Sequence, residues 1–283
     1  MSAASAPFIA FEHVTYAYPG AGGDVLPVPA LRDLSLDIAR GEYVAILGHN
    51  GSGKSTLARH GNALLVPSAG RVVVDGFDTL DLTTHPAIRD RVGMIFQQPD
   101  NQIIATVVGD DVAWALAVRG LPAPLIRERV EWALAATGIA DLRDLPPHRL
   151  SGGQRQRLAI AGVLALRPAC VIADEATAQL DPLARREVVA LLHRLHRAHG
   201  LTILHVTHLV EEAVTADRVV VLDRGAVALD GTPAALFADL MPLRALKLAI
   251  PEPLALAERL RAAGVPVSPG ALTVGAIARE LAP

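Results

Sequence analysis

The sequence predicts an α/β fold on a mixed β core sheet, with a helical subdomain and a small appended C-terminal domain. Three observations carry this. A glycine-rich loop at residues 48–53 lies between a short apolar strand, 42–47, and a helix opening at Thr56. Residues 170–206 run strand, helix, strand, the βαβ order that implies a parallel sheet. Residues 8–47 contain short runs of alternating polarity, such as Phe8-Ile9-Ala10-Phe11-Glu12-His13-Val14, which read as antiparallel strands.

The loop reads Gly48-His49-Asn50-Gly51-Ser52-Gly53-Lys54-Ser55-Thr56 and matches G-x-x-x-x-G-K-[ST], the phosphate-binding loop of nucleotide hydrolases. A strand, a glycine turn and a helix N-terminus direct successive backbone N–H groups at an anion. Only two of the 26 basic residues are lysines, Lys54 and Lys247. An arginine-biased chain that keeps lysine at this position needs a slim point charge there, not a planar fork of donors. Ser55 has the hydroxyl expected of a Mg²⁺ ligand.

Composition narrows the classes. A chain of 283 residues, 51% hydrophobic, suits one large domain or two smaller ones. A net charge of −3 supplies no basic field for nucleic acid. The single cysteine, Cys170, excludes disulfide frameworks and cysteine zinc sites, and its apolar neighbours predict a buried free thiol. The first basic residue is Arg32, so the start lacks a secretory pattern. No apolar run reaches the ~18–20 residues of a membrane span; Leu158 to Leu166 is the longest. The expectation is a soluble, intracellular chain that only a partner holds at a membrane.

Along the chain, a glycine- and proline-rich loop is expected at 19–29. The helix after the phosphate loop should run to about Leu65, followed by a strand-turn at 71–76 and a strand at 92–96. Residues 107–145 are helical in pattern, broken by Pro122, Pro124, Pro146 and Pro147. Strand 170–173, helix 182–199, strand 202–206 and a strand pair near 217–230 follow. From Pro233 the texture turns to alanine- and proline-rich helices with a strand-like or loop break at 264–274. The divisions expected are residues 1–232, with a helical subdomain at about 98–165, and residues 233–283.

Two further elements suit phosphate chemistry. Leu150-Ser151-Gly152-Gly153-Gln154 opens an amphipathic helix. Ser151 there reads either as a simple N-cap or, beside a phosphate loop, as part of a second anion cradle. Cys170-Val171-Ile172-Ala173-Asp174-Glu175 is a buried apolar strand ending in adjacent carboxylates, which are seldom buried unless paired or metal-bound. Asp174 suits a Mg²⁺ shell through water, and Glu175 suits orienting or deprotonating an attacking water.

In this order and spacing, the phosphate loop, the LSGGQ run and the Asp-Glu strand end resemble the ATP-binding subunit of an ABC transporter, from residue 8 to about 232. The resemblance implies an ABC-type P-loop NTPase that hydrolyses ATP with Mg²⁺. It implies that Gln97 touches Mg²⁺ and senses the membrane partner, that Asp181 is the D-loop aspartate, and that His208 is the switch histidine near the γ-phosphate. Tyr18 would stack on adenine, in preference to Tyr16. ATP would sit between Lys54 of one subunit and Ser151 and Gly153 of another in a head-to-tail dimer. That second ABC ATPase is either an identical chain or a related one.

Phe96-Gln97-Gln98-Pro99-Asp100-Asn101-Gln102-Ile103, with Thr106 to Trp114, Ala58 to Leu65 and the tail from Pro269 to Glu280, resembles the energy-coupling-factor and cobalt-importer branch. The branch implies an integral membrane coupling subunit docked near Gln97 and residues 98–118, and a cargo-binding membrane subunit. It also implies a place at the cytoplasmic face of the membrane, import of a vitamin or a transition metal such as cobalt, and a C-terminal domain used for dimer contact. The alternative is a soluble ABC ATPase acting on nucleic acid or ribosomes. Against it stand the single motif copy, the short stretch between motifs, the lone cysteine and the acidic charge.

Three residues depart from the branch pattern: Gly61 within a helix, at about 1 kcal/mol, Gln179 in the D-loop, and Ala173 before Asp174. His193, His196 and His199 recur every three residues, with His205 and His208 beyond. That spacing drifts around a helix, arginines interleave and no carboxylate lies within the run, so it reads as a basic, solvated helix end and not a metal site.

Overall fold

A computed structural model describes residues 6–19 and 28–282. The loop expected at 19–29 lies largely outside the described residues, at 20–27.

The chain begins with β1 (Ile9–Tyr16), β2 (Leu31–Ile38) and β3 (Tyr43–Leu47), then α1 (Lys54–Gly61), β4 (Ala69–Val74) and β5 (Phe77–Asp78). There follow α2 (His85–Arg91), β6 (Val92–Ile95), α3 (Val108–Val118), α4 (Ala123–Thr137), α5 (Gly152–Leu164) and β7 (Cys170–Asp174). Next come α6 (Pro182–His199), β8 (Thr202–Val206), α7 (Val210–Ala213), β9 (Arg218–Asp223) and β10 (Ala226–Gly231). The tail holds α8 (Pro233–Leu236), α9 (Met241–Ala245), α10 (Glu252–Ala262) and α11 (Val274–Leu281).

Two sheets form. One is antiparallel, ordered β2-β1-β4-β5. The other is mixed, ordered β10-β9-β3-β8-β7-β6, with only β10 antiparallel. Strands β3, β7 and β8 are buried at every residue, which is why they read as largely apolar runs. One large core lies between this sheet and α3 to α6; the other lies between the two sheets and α1.

The helix after the phosphate loop ends at Gly61, four residues before the expected Leu65. Ala63 is left-handed, φ 55°, and its N–H reaches His60 O while Leu64 N–H reaches Arg59 O. This Schellman closure fills the last carbonyls and turns the chain away. Gly61 itself is a contact: a Cβ there would lie 2.9 Å from Ile172 Cδ1, so the glycine lets α1 sit close on β7. Strand β4 runs 69–74, two residues ahead of the expectation. Helix α6 matches the expected 182–199, opened by Asp181 and closed by left-handed Gly200.

The histidine run is solvated only at its end, from Arg197 to Gly200. His193 stacks face to face with buried Tyr43, ring centroids 4.2 Å apart, and His196 meets the same ring edge-on at 5.6 Å. Only His199 is exposed, against Trp132. Among the described residues no group of three or more His, Cys, Asp or Glu is arranged to hold a metal.

In the tail, residues 264–272 form no strand. Phe237, Leu240, Leu243, Leu248 and Leu254 enter the large core, whereas Ala257, Val267, Ala271 and Ile277 form a small core of their own. No described helix is long and apolar enough to cross a membrane.

Candidate nucleotide site

Because β3, β8, β7 and β6 are adjacent and parallel, the segments after their C-terminal ends emerge at one edge of the sheet. Open α/β sheets bind ligands at that edge. It brings together the loop 48–56, His208 after β8, Asp174 and Glu175 at β7, and Gln97 after β6. A cleft of about 420 Å³ there is lined by Tyr18, Asn50, Gly53, Lys54, Gln97 and Glu175, among others.

The loop demands its glycines. A Cβ on Gly48 would stand 2.4 Å from Ser52 Oγ, and one on Gly53 would stand 2.5 Å from Ala30 O. Gly53 is also left-handed, φ 103°, at the N-cap of α1, and no side chain caps that helix. Its first N–H groups are left for an anion. Lys54 folds back over the loop, its Nζ donating to Gly48 O at 2.8 Å and His49 O at 3.1 Å. Burial lowers its pKa, with Glu175 and Asp174 opposing. A buried cation held mainly by carbonyls suits a polyphosphate.

His49 turns sideways: Nε2 lies 2.9 Å from Asp223 Oδ1 and Nδ1 lies 2.7 Å from Asn50 O. The pinning by Asp223 had no local signal, since the partners are 174 residues apart. Ser52 is buried beneath the loop with its Oγ lacking a partner, and its backbone accepts from Gly225 N–H.

Ser55 Oγ donates to Asp174 Oδ1 at 2.8 Å. Burial raises the Asp174 pKa, and Ser55, Arg59 and Lys54 only partly offset it. A buried carboxylate beside a hydroxyl, with exposed Gln97 on the same cleft, is a set of hard oxygen donors that fits Mg²⁺. Glu175 is left-handed, φ 50°, with its N–H fixed to Val206 O. A bulky residue there costs about 1–2 kcal/mol, the kind of backbone strain that collects at functional sites. Its Oε1 lies 3.6 Å from Lys54 Nζ and its Oε2 lies 3.9 Å from His208 Nδ1.

Tyr18 is 42% exposed at the cleft mouth, its hydroxyl 3.2 Å from Thr56 Oγ1. Tyr16 meets Tyr18 edge-on and is turned toward His60. Gln102 fixes the turn that carries Gln97, accepting from Phe96 N–H and donating to Met94 O. Of the departures, Gln179 is exposed and Ala173 is buried.

The LSGGQ run and Asp181 do not join this cleft. Ser151 caps α5 with a complete capping box: its Oγ accepts from Gln154 N–H at 3.3 Å and Gln154 Oε1 accepts from Ser151 N–H at 2.8 Å. Gly153 lies close to α6, where a Cβ would meet Ala184 Cβ at 3.0 Å. Asp181 caps α6, accepting from the N–H groups of Leu183 and Ala184.

Residues 31–178 match the family model described as ABC transporter. The energy-coupling factor transporter ATP-binding protein EcfA1 of Symbiobacterium thermophilum is 53% identical over 277 residues, covering 97% of this chain and 96% of that one. Its namesake from Caldanaerobacter subterraneus subsp. tengcongensis is 45% identical, covering 93% and 94%. Among solved structures, cbiO1 from Clostridium perfringens, part of the ABC transporter complex cbiONQ, superposes with a TM-score of 0.77 at 38% identity, covering 90% of this chain and 100% of that one. The dimeric ATP-binding cassette MJ0796, bound to ADP and Pi after hydrolysis, gives 0.71 at 30% identity, covering 80% and 98%. The parallel-sheet edge with its glycine loop, Lys54 and paired carboxylates therefore sits in an ATP-hydrolysing chain that belongs to the ABC transporter family, among its energy-coupling factor ATP-binding proteins.

Proposed function

We propose that this chain powers an energy-coupling factor importer by binding and splitting ATP at the edge of β3, β8, β7 and β6. The observation that carries the reading is Lys54 Nζ, held over the glycine loop 3.6 Å from Glu175. The N–H groups of residues 51–56 and the Lys54 ammonium hold the phosphates, and Tyr18 takes the adenine. Glu175 orients or deprotonates the attacking water, and His208 stands by the γ-phosphate. Ser55, Asp174 and Gln97 would hold Mg²⁺, which would supply positive charge to offset that building on the phosphate oxygens. Little covalent chemistry is asked of the protein, so positioning and charge carry the rate.

The glycine loop and the Ser151–Gln154 run lie apart within one chain, which suits a head-to-tail dimer with two composite sites. There Ser151, Gly152, Gly153, Gln154 and Asp181 of one subunit face Lys54 of the other. The second subunit is another ABC ATPase, identical or related. Residues 233–283 are an appended domain that adds a dimer contact. A membrane coupling subunit docks near Gln97 and residues 98–118, and a cargo-binding membrane subunit delivers a vitamin or a transition metal such as cobalt. The chain then lies peripherally at the cytoplasmic face.

Affinity capture of the tagged chain from detergent-solubilised membranes tests this. Co-purifying polytopic membrane proteins, with or without a second ATPase, are expected. Recovery in the soluble fraction with nucleic acid or ribosomes overturns the transport role and leaves the ATP site standing.

A further inference from the structure

Behind the nucleotide edge lies a buried polar cluster that the phosphate chemistry does not use. Glu212 on α7 is 3% exposed, and His205 on β8 and Tyr43 on β3 are fully buried. Glu212 Oε1 accepts from Thr177 Oγ1 at 2.7 Å and lies 3.8 Å from Arg185 Nε. Glu212 Oε2 faces His205 Nε2 at 3.3 Å, out of line for a good hydrogen bond, and neither atom has another partner among the described residues. His205 Nδ1 lies 3.0 Å from the Tyr43 hydroxyl.

The proton assignment follows from the partners. A carboxylate only accepts, so His205 Nε2, which faces it, carries a proton, and Nδ1 pairs with the Tyr43 hydroxyl. Burial keeps the Tyr43 phenol in its neutral form. Burial also pushes the Glu212 pKa up, but neighbouring His205 and the Thr177 hydrogen bond help to outweigh it and hold the carboxyl below its usual value.

Each residue of this cluster leads to a different part of the site. Thr177 lies two residues after Glu175 and four before Asp181. His205 lies three residues before His208. Tyr43 starts the strand that ends in the glycine loop. Arg185 lies on the helix that Asp181 caps, and its guanidinium also donates to Leu180 O at 3.3 Å. Isolated buried carboxylates are expensive, and this one is retained with a partner on each side.

We propose that Glu212 is a positioning residue: through Thr177 it fixes the segment from Glu175 to Asp181, and through His205 it ties that segment to the strand carrying His208. It touches neither nucleotide nor metal. The role rests on the assignment of Glu175, Asp181 and His208 to the nucleotide site. It predicts that the loop's register, not ATP affinity, depends on the contact.

The test is ATP turnover by the full chain, purified with whatever subunits accompany it. Thr177→Val keeps the shape and removes the hydroxyl. It is expected to lower kcat between about 10- and 100-fold, the scale of a small misplacement of reacting groups. KM for ATP is expected to stay within about twofold, since ground-state binding is untouched. Thr177→Ser, which restores the donor, is expected to recover most of the rate, and Glu212→Gln, which keeps the acceptor, to do better than Glu212→Ala. Normal kcat in Thr177→Val, or kcat and KM failing together with the melting temperature, overturns the proposal. Should Glu212→Ala not fold, the Thr177 pair still decides. Glu175→Gln is run beside them. Turnover surviving there overturns the site assignment, whereas its loss with Thr177→Val fully active overturns the positioning role alone.

Discussion

Glu175 Oε1 stands 3.6 Å from Lys54 Nζ, although the two residues leave different strands of the sheet. The contact is longer than a hydrogen bond and leaves both groups free to change partners. Lys54 is held by carbonyls of its own loop, and Glu175 by a strained backbone, so each can meet phosphate or water without rebuilding.

Glu175→Gln therefore keeps the shape of the site and removes the carboxylate proposed as the base. Equilibrium ATP binding should be retained while kcat falls by ~10² to 10⁴-fold, the range for losing a general base. Binding and turnover measured on the same preparation check this, and near-normal turnover would sink the role given to Glu175.

Asp174→Asn should separate stability from function. Burial raises the folded pKa above 3.8, so the native state binds the proton more tightly than the unfolded chain. Stability from this group therefore falls as pH rises through that window. The asparagine variant should melt higher than the parent near neutral pH, with the gap closing as pH falls toward 3.8. It should also lose Mg²⁺-dependent turnover. Melting curves across pH, with ATPase titrated against Mg²⁺, give both readings.

Tyr43→Phe removes the hydroxyl that pairs with His205 Nδ1 inside the core. A buried donor or acceptor left unsatisfied costs about 1–3 kcal/mol, and each kcal/mol is roughly 2–4 °C in a domain of this size. A fall in Tm on that scale is expected, and an unchanged Tm would show that the hydroxyl stabilises nothing.

Gly61→Leu sets two magnitudes against each other. A better helix former gains about 1 kcal/mol over glycine. Forcing a side chain into the space of Ile172 Cδ1 costs about 1–3 kcal/mol. Net destabilisation is expected in chemical denaturation, with the midpoint moving to lower denaturant.

Much of the site was legible because its chemistry is local. A glycine loop between a strand and a helix, a serine before two glycines, and two carboxylates at a strand end are each written in consecutive residues. The caps at Ser151 and Asp181 likewise join residues only two or three positions apart. Strands β3, β7 and β8 were legible for a related reason: burial on both faces leaves mostly apolar residues in them, and polar exceptions such as Asp174 and His205 have side-chain partners.

The tertiary structure decided what depends on distant partners. The histidines at 193 and 196 look solvated by their spacing, yet the ring of Tyr43, some 150 residues away in sequence, covers them. The glycine at 61 looks like a weak helix residue until Ile172 is placed against it. Glu212 follows another glutamate on a short polar-looking segment, and only the fold reveals it as a buried carboxylate joining Thr177, His205 and Arg185. Periodicity reports which way a side chain points along its own element. It does not report which element packs against that face, and for buried polar groups the partner decides the charge, the proton and the role.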